Sequence, residues 1–128
     1  MGHRSRLAGF IIDCQTGDID PAAKFWSQAL GVTIADADAG DVSGQYQMFG
    51  NTPGDLHIEV QKVDHPSRVH LDIEADDIDA EATRLEKLGA KKIAFVKRWW
   101  VMEAPSGHRF CVVKMHHPER GTPPNEWK

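Results

Sequence analysis

Polar side chains with chemical capability alternate with apolar residues in two short runs of the sequence. His57, Glu59 and Gln61 are spaced two apart in one run, and His70 and Asp72 are spaced two apart in the other. Residues two apart in an extended strand point to the same face. Imidazole, carboxylate and amide groups on one face can bind a polar small molecule, and the first two can also transfer a proton.

Each of these side chains also has an ordinary structural explanation. Glu59 is the best candidate for a general base because it is the only carboxylate in its run, and the alternative is an exposed surface carboxylate. His70 is predicted to contact a ligand, and the alternative is a histidine held by hydrogen bonds within the fold. Asp72 is more typical of a structural carboxylate than of a base. The sequence therefore favours Glu59 as the catalytic candidate.

A third group of candidates lies further along the chain. Trp99 and Trp100 are adjacent and must point to opposite faces of a strand, so one can line a ligand site while the other packs in the core. Trp100 shares its face with Met102, and plain core is the alternative for both. Cys14 and Cys111, the two cysteines, lie in apolar runs typical of reduced, buried thiols.

Strand alternation divides the candidates into two predicted faces. The predicted ligand-facing residues are His57, Glu59, Gln61, His70, Asp72, Trp100, Met102 and Cys111. The residues predicted to pack beneath the helices are Val69, Leu71, Ile73, Phe110 and Val112. An error of one residue in the register of a strand inverts its two faces.

The elements that carry these residues follow the order βαβββ in the first half of the chain. A helix is predicted from the Asp20-Pro21 cap to Gly31, with an apolar stripe that includes Phe25 and Leu30. The predicted strands are Leu7 to Cys14, Val32 to Ala35, Tyr46 to Phe49 and Leu56 to Val63. Turns are predicted around Gly40, Gly44 and Pro53-Gly54.

The same order repeats in the second half, which indicates an internal duplication. A strand containing Val69 to Glu74 precedes a helix that is capped by Asp76 or Asp77 and closed by Gly89. The apolar face of this helix is predicted to be Ile78, Ala82, Leu85 and Leu88. Further strands are predicted over Lys92 to Val96, Trp99 to Glu103 and Phe110 to Met115. The remaining residues, 116–128, are turn-rich and predict a surface tail.

Composition and length favour one ordinary globular domain over residues 1–128. The chain is 41% hydrophobic and 27% charged, with a formal net charge of -4. The absence of a basic run argues against nucleic acid, and no apolar stretch is long enough to predict a membrane span or a signal peptide. We therefore expect a cytoplasmic protein with no nucleic-acid or membrane partner.

Three stretches of the sequence resemble one family. Residues 68–90 contain RVHLDIEA and then DIDAEATRLEKLGA, residues 100–113 contain WVM and then PSGHRFCVV, and residues 25–31 read FWSQALG. In this order they resemble the glyoxalase-like branch of the vicinal oxygen chelate superfamily, which includes glyoxalases, bleomycin-resistance proteins and extradiol dioxygenases. The resemblance implies an α+β fold in which two βαβββ units, about residues 7–63 and 68–115, form curved mixed sheets around a concave cup.

The resemblance also implies where a divalent metal would bind. The family's ligands are a His or Gln on the first strand, a Glu on the fourth, a His on the fifth and a Glu on the eighth. These positions fall on Gly9, on Glu59 or Gln61, on His70 and on Cys111. Because Gly9 offers no ligand and Cys111 replaces a carboxylate, we expect no metal cofactor of the usual kind. Zinc bound by His70, Glu59 and Cys111 is the alternative.

Two functions are consistent with these residues. The first is a small-molecule-binding protein of the bleomycin-resistance type without the usual metal site. The alternative is a lyase or isomerase of the glyoxalase type that acts on a carbonyl substrate, with Glu59 moving the proton and a noncanonical or absent metal. Because family members commonly dimerise, the resemblance also implies a homodimer.

Overall fold

The computed structural model describes residues 2–35 and 44–128, so the turn predicted around Gly40 lies outside the described residues. The strands are β1 (His3–Gln15), β2 (Thr33–Ile34), β3 (Tyr46–Gly50), β4 (His57–Val63), β5 (Arg68–Ala75), β6 (Lys91–Val96), β7 (Trp99–Glu103), β8 (Arg109–Lys114) and β9 (Asn125–Trp127). The helices are α1 (Asp20–Leu30) and α2 (Ile78–Lys87), and a 3₁₀ turn covers Pro53–Asp55. The predicted α+β class and the two βαβββ repeats are confirmed. Within the described ranges, none of the helices has the length and apolar character needed to cross a membrane.

Two compact units divide the chain, and the division falls inside β1 and β5. Unit I is Phe10–Val69, and unit II comprises the residues up to Gly9 together with His70–Lys128. The strand order is β2-β3-β4-β1 in unit I and β1-β5-β8-β7-β6 in unit II. In both units, the last strand of the βαβββ repeat lies beside its first strand. The equivalent order supports the duplication predicted from the sequence.

Both parallel and antiparallel pairs occur in the sheet. β5 and β8 are parallel, with Asp72 opposite Cys111 and Ile73 opposite Val112. The pairs β3–β4, β6–β7 and β7–β8 are antiparallel. Because side chains alternate along each strand, this register fixes which residues of neighbouring strands share a face.

The core of unit I lies between α1 and one face of its strands. The buried residues of this cluster are Ile12, Cys14, Ile19, Ala23, Val32, Phe49, Ile58 and Val60. The predicted apolar stripe of α1 was partly wrong, because Phe25 and Leu30 are exposed. Alternation along β4 therefore leaves His57, Glu59 and Gln61 on the face opposite Ile58 and Val60.

The two ends of α1 differ in how well the sequence predicted them. Asp20 is not the N-cap as predicted but the first helical residue, and Ile19 occupies the N-cap without a side-chain cap. Asp18 accepts a hydrogen bond from the Asp20 backbone N–H through Oδ1 at 3.1 Å. The predicted C-terminal cap is confirmed, since Gly31 adopts the left-handed conformation with φ of 69°.

The core of unit II lies between α2 and strands β7 and β8. Its buried residues are Ala82, Leu85, Met102, Phe110 and Val112. Ile73 packs against this cluster as predicted, but Val69 and Leu71 do not, and Leu71 is 52% exposed. Alternation correctly predicted which face of β5 points toward α2. It does not predict how far α2 covers that face. Leu88 was also predicted to pack and is exposed.

The N-cap of α2 follows one of the two predicted alternatives. The Asp77 side chain accepts a hydrogen bond from the Ala80 backbone N–H at 3.0 Å. Asp76 instead binds Arg4, whose backbone N–H donates to Asp76 Oδ1 at 2.9 Å. The hydrogen bonds from Arg4 lower the pKa of the Asp76 carboxyl below its usual value, against the opposing effect of burial. Asp76 therefore connects the start of α2 to β1.

The C-terminal tail contains a strand that the sequence did not predict. β9 pairs antiparallel with the start of β1, with Trp127 opposite His3. The Arg6 guanidinium donates hydrogen bonds to the backbone carbonyls of His117, Arg120 and Thr122 at 2.9, 2.6 and 2.6 Å. Since β9 has only three residues, no periodic pattern could reveal it.

A buried carboxylate, Glu81 of α2, connects the helix to β1 and to this tail. Arg84 Nε and Nη2 donate to Glu81 Oε1 and Oε2 at 2.7 and 2.9 Å, and Ser5 Oγ donates to Oε2 at 2.7 Å. His3 Nε2 lies 2.8 Å from Oε1. Trp127 Nε1 donates to Ser5 Oγ at 2.7 Å, and the Arg84 guanidinium lies 3.9 Å from the Trp127 ring centroid. Glu81 is thus buried but fully hydrogen-bonded.

Candidate functional site

The polar face of unit I is formed by β3 and β4. We call it face I and define it by Tyr46, His57, Glu59 and Gln61. The register places Tyr46 opposite Gln61, and Gln61 Nε2 donates a hydrogen bond to the Tyr46 hydroxyl oxygen at 3.3 Å. His57 Nε2 lies 3.5 Å from Glu59 Oε2. The side chains predicted from alternation in β4 therefore lie together on one face.

Face I combines functional groups of different hydrogen-bonding character. Glu59 offers a carboxylate whose side chain is 16% exposed, and the neighbouring imidazole of His57 is 38% exposed. The amide of Gln61 and the hydroxyl of Tyr46 can each donate and accept. These groups can bind a small polar molecule, and the accessible carboxylate of Glu59 can accept a proton from it.

Asp13 and Arg68 are charged residues of unit I that the sequence interpretation missed. Asp13 is almost completely buried in β1, and Arg68 Nε lies 3.5 Å from Asp13 Oδ2. Alternation places Asp13 on the face opposite Ile12 and Cys14, which belong to the core under α1. The signal was present in the sequence, since Asp13 is the one carboxylate inside the otherwise apolar run Leu7 to Cys14.

Cys14 behaves as the inert core thiol that the sequence predicted. It is buried in the cluster under α1. Burial, and secondarily the Asp13 carboxylate, raise the pKa of the Cys14 thiol. A raised pKa disfavours the thiolate, which is the nucleophilic form. Cys14 therefore has a structural role.

The second group of candidates lies in unit II, on β5 and β8. His70, Asp72 and Cys111 present one nitrogen, oxygen or sulfur atom each, and these three atoms lie within 4.8 Å of one another. His70 Nε2 is 3.6 Å from Asp72 Oδ1. Asp72 is buried, whereas His70 and Cys111 are partly accessible. We call these three residues the His-Asp-Cys cluster.

Trp100 and Met102 were predicted to lie on the same face of the sheet as the His-Asp-Cys cluster, and this prediction was wrong. β7 pairs with β8 so that Trp100 lies opposite Val112, Met102 opposite Phe110, and Val101 opposite Cys111. Trp100 and Met102 consequently pack in the core under α2, and Met102 is fully buried. The Trp100 indole N–H donates to Asp79 Oδ1 of α2 at 2.9 Å, which holds it on the helix side of the sheet.

Comparison with known proteins agrees with this architecture. The model of a family described as the glyoxalase-like domain matches residues 9–113, which is most of the chain. The chain belongs to the glyoxalase-like domain family. Through it, the chain is a member of the vicinal oxygen chelate superfamily. No curated protein sequence matches the chain significantly.

Several solved structures of this superfamily share the fold. The methylmalonyl-CoA epimerase of Mycobacterium tuberculosis is 14% identical, with a TM-score of 0.61, and the match covers 86% of this chain and 87% of that one. The Mn(II)-bound glyoxalase of Novosphingobium aromaticivorans is 16% identical, with a TM-score of 0.60, over 89% of this chain and 40% of that one. A methylmalonyl-CoA epimerase in complex with methylmalonyl-CoA and NH4+ is 15% identical, with a TM-score of 0.60, over 94% of this chain and 99% of that one.

Two positions at which the family resemblance implies metal ligands carry residues of a different chemistry in this glyoxalase-like protein. Gly9, at the first-strand ligand position, has no side chain to coordinate an ion. Cys111, at the eighth-strand position, provides sulfur where the family has a carboxylate oxygen. Nickel, manganese and magnesium sites of the octahedral kind depend on nitrogen and oxygen donors. At these two positions the chain lacks the nitrogen and oxygen donors that the family resemblance implies.

Proposed function

We propose that this glyoxalase-like protein binds a small polar molecule on face I and does not depend on the family's usual metal. The observation that supports the proposal is the clustering of Tyr46, His57, Glu59 and Gln61 on one face of β3 and β4. Their side chains are all half-buried, so each can contact a ligand and is partly shielded from bulk water. Shielding strengthens hydrogen bonds to a bound molecule.

The chemistry of face I indicates the class of ligand. The Gln61 amide and the Tyr46 hydroxyl match carbonyl or hydroxyl oxygens, and protonated His57 matches an acidic group. Glu59 accepts hydrogen bonds from hydroxyl or amide groups. We infer that the ligand is a small molecule with several oxygen atoms, such as a hydroxy or keto acid. The related epimerase that was solved with methylmalonyl-CoA binds a ligand with acid and thioester oxygens.

Catalysis on the same ligand is the second candidate function. One observation favours it: His57 Nε2 lies 3.5 Å from Oε2 of Glu59, whose side chain is partly exposed. A carboxylate in this position can remove a proton from the carbon beside a carbonyl, and the neighbouring imidazole can return a proton to the substrate. This would make the protein a lyase or isomerase of the glyoxalase type.

The binding proposal is tested by titrating the purified chain with a panel of hydroxy and keto acids and their coenzyme A thioesters. Isothermal titration calorimetry should find a saturating ligand, and Gln61→Ala should weaken its binding by about tenfold, the effect of one lost hydrogen bond of about 1.4 kcal/mol. Glu119→Gln, which changes an exposed carboxylate of the tail, should leave the affinity unchanged. A ligand whose affinity is the same in both variants would contradict the role of face I.

Catalysis is distinguished from binding by proton exchange in heavy water. If Glu59 acts as a base, the bound compound should exchange a carbon-bound hydrogen for deuterium, and Glu59→Gln should abolish the exchange while binding persists. Nuclear magnetic resonance of the ligand measures both. A bound ligand without exchange would support a binding protein only.

We also propose that the protein forms a homodimer. Family members commonly dimerise, and unit II exposes Leu7 and Leu71, each 52% accessible in the single chain. Light scattering on the purified protein should give twice the mass of one chain, and Leu71→Glu should shift it toward the monomer.

A further inference from the structure

We propose that Arg68 binds the acid group of the ligand on face I. This role rests on the proposed function, because it requires a ligand on face I. Arg68 Nε lies 3.5 Å from Asp13 Oδ2, and both residues belong to unit I, which carries face I. The Arg68 side chain is 50% exposed, whereas the Asp13 side chain is 2% exposed. The guanidinium is thus held by a buried carboxylate and is still accessible to a ligand.

Asp13 lies on the same side of the sheet as face I. Its neighbours in β1, Ile12 and Cys14, belong to the core cluster under α1. Ile58 and Val60 of β4 belong to the same cluster. Because side chains alternate along a strand, Asp13 and the polar residues of β4 all point away from α1. The guanidinium that Asp13 holds therefore lies on the side of the sheet that carries face I.

The end of β1 lies beside both β4 and the start of β5. The Gln15 side-chain amide donates a hydrogen bond to the backbone carbonyl of Asp64, which directly follows β4, at 3.0 Å. The Gln15 backbone N–H donates to the Oγ of Ser67, which directly precedes β5, at 3.0 Å. These two hydrogen bonds agree with the strand order β4-β1-β5.

This order places the Arg68 guanidinium close to the ligand groups of β4. Asp13 is two residues before Gln15 on β1, and Gln61 lies near the same end of β4. Neighbouring strands are about 4.8 Å apart, so a guanidinium beside Asp13 is about one strand spacing from β4. A small acid can span this distance, with a hydroxyl or carbonyl oxygen at Gln61 and its carboxylate at Arg68.

Arg68 supplies the positive charge that an acid on face I needs. A carboxylate bound there lies near Glu59, and like charges repel each other. His57 is a cation only when it is protonated, whereas an arginine is always charged. With Nε directed at Asp13, the two Nη nitrogens can donate parallel hydrogen bonds to both oxygens of a carboxylate. Because Asp13 offsets part of the charge, the selection of an acid depends on these paired hydrogen bonds.

Matched acids and amides test this role in the unsubstituted protein. The isotopically labelled full-length chain is titrated by NMR with lactate and mandelate, and separately with lactamide and mandelamide. Each acid should bind at least about tenfold more tightly than its amide, because hydrogen bonds between two charged groups are the strong ones. The Nε–H signal of Arg68 should shift with the same saturation as the backbone amides of β3 and β4.

Substitutions at Arg68 show whether this residue causes the preference. Arg68→Gln should weaken the binding of both acids by at least about tenfold and leave the amides unchanged. Arg68→Lys keeps the charge but loses the planar fork, so it should restore only part of the acid affinity. The matched control is Arg109→Gln, since Arg109 Nε lies 3.5 Å from Glu103 Oε1 in unit II. This control should keep the preference for acids.

A double variant covers the possibility that Arg68→Gln does not fold. Arg68→Gln removes the cation beside the buried Asp13, whereas Asp13→Asn combined with Arg68→Gln removes both charges. Circular dichroism shows which of the variants are folded. The double variant should lose the acid preference in the same way.

The outcomes separate this role from the proposed function. Saturable shifts on β3 and β4 with equal affinities for acids and amides would overturn the role of Arg68 and leave the proposed function intact. A preference that persists in Arg68→Gln or in the double variant would also overturn only this role. Shifts at Arg68 without any on β3 and β4 would contradict both. If neither acid binds, the role of Arg68 is wrong, and the wider acid panel decides the proposed function.

Discussion

Glu81 shows how a single buried charge can be stabilised by its hydrogen bonds. Burial alone raises the pKa of the Glu81 carboxyl, but the hydrogen bonds from Arg84, His3 and Ser5 outweigh it and lower the pKa from 4.5 to about 2. A buried ionised carboxylate with these partners is more stable than one without them. The lowered pKa makes the stability of the fold dependent on pH.

Acid should therefore destabilise the protein through Glu81. The ionised carboxylate stabilises the folded state fully above pH 4.5, and this contribution is lost as the pH falls from 4.5 to about 2. The difference in pKa corresponds to about 3 kcal/mol. Urea unfolding measures the free energy of unfolding at pH 6 and at pH 2. Between these two pH values, the wild type should lose about 3 kcal/mol more of this free energy than Glu81→Gln loses.

A carboxylate on the same helix gives the control for this experiment. Glu86 is exposed and lies 3.5 Å from Lys92. Glu86→Gln should keep the steep pH dependence of the wild type, because a surface ion pair contributes little to stability. Equal pH dependence in Glu81→Gln and the wild type would show that Glu81 does not carry this contribution.

At the residue level, the sequence predicted some orientations well and others wrongly for a physical reason. In β4, polar and apolar residues alternate, so His57, Glu59 and Gln61 could be assigned to one face. β7 reads Trp-Trp-Val-Met-Glu and has large apolar side chains on both faces. Only its pairing with β8 decides that Met102 and Trp100 face the helix, and that pairing is not visible in the sequence of β7 alone.

The element that most clearly separates the two faces of unit II is α2. Met102 of β7 packs beneath it and is fully buried, whereas Leu71 of β5 is 52% exposed. A cavity forms only when the deleted side chain was enclosed by its neighbours. The two residues therefore make a matched pair for testing where the core ends.

Truncation should affect these two residues very differently. Met102→Ala should lower the free energy of unfolding by about 2 to 5 kcal/mol, because it leaves a cavity among Ala82, Leu85 and Phe110. Leu71→Ala should cost less than about 1 kcal/mol at protein concentrations low enough for the chain to be monomeric. Chemical denaturation at such a concentration measures both variants. A larger loss for Leu71→Ala there would mean that the chain itself encloses this side chain.

The ends of the helices could be predicted where a single residue determines the local backbone conformation. The Gly31 cap and the Asp77 cap were recognisable because each residue type meets a specific backbone requirement. β9 could not be predicted, because it forms only by pairing with the other end of the chain. Arg6, for example, binds the carbonyl of Arg120, which is 114 positions away.

At the scale of the whole molecule, the order of elements was the most predictable property. Two βαβββ repeats and the family resemblance both rest on motifs spread along most of the chain, so an error in one motif does not change the result. The site is less predictable, because it depends on pairing between strands that are distant in sequence. The His-Asp-Cys cluster, for example, requires the parallel register of β5 with β8.

The central claim is that the protein binds a small polar molecule on face I. The most direct test is a titration of the isotopically labelled chain with the tightest-binding compound of the acid panel, followed by two-dimensional NMR of the backbone amides. We expect saturable shifts at Tyr46, His57, Glu59 and Gln61, with affinity reduced by about tenfold in Gln61→Ala. Saturable shifts confined to the helices or to the tail, with none on β3 and β4, would contradict the claim.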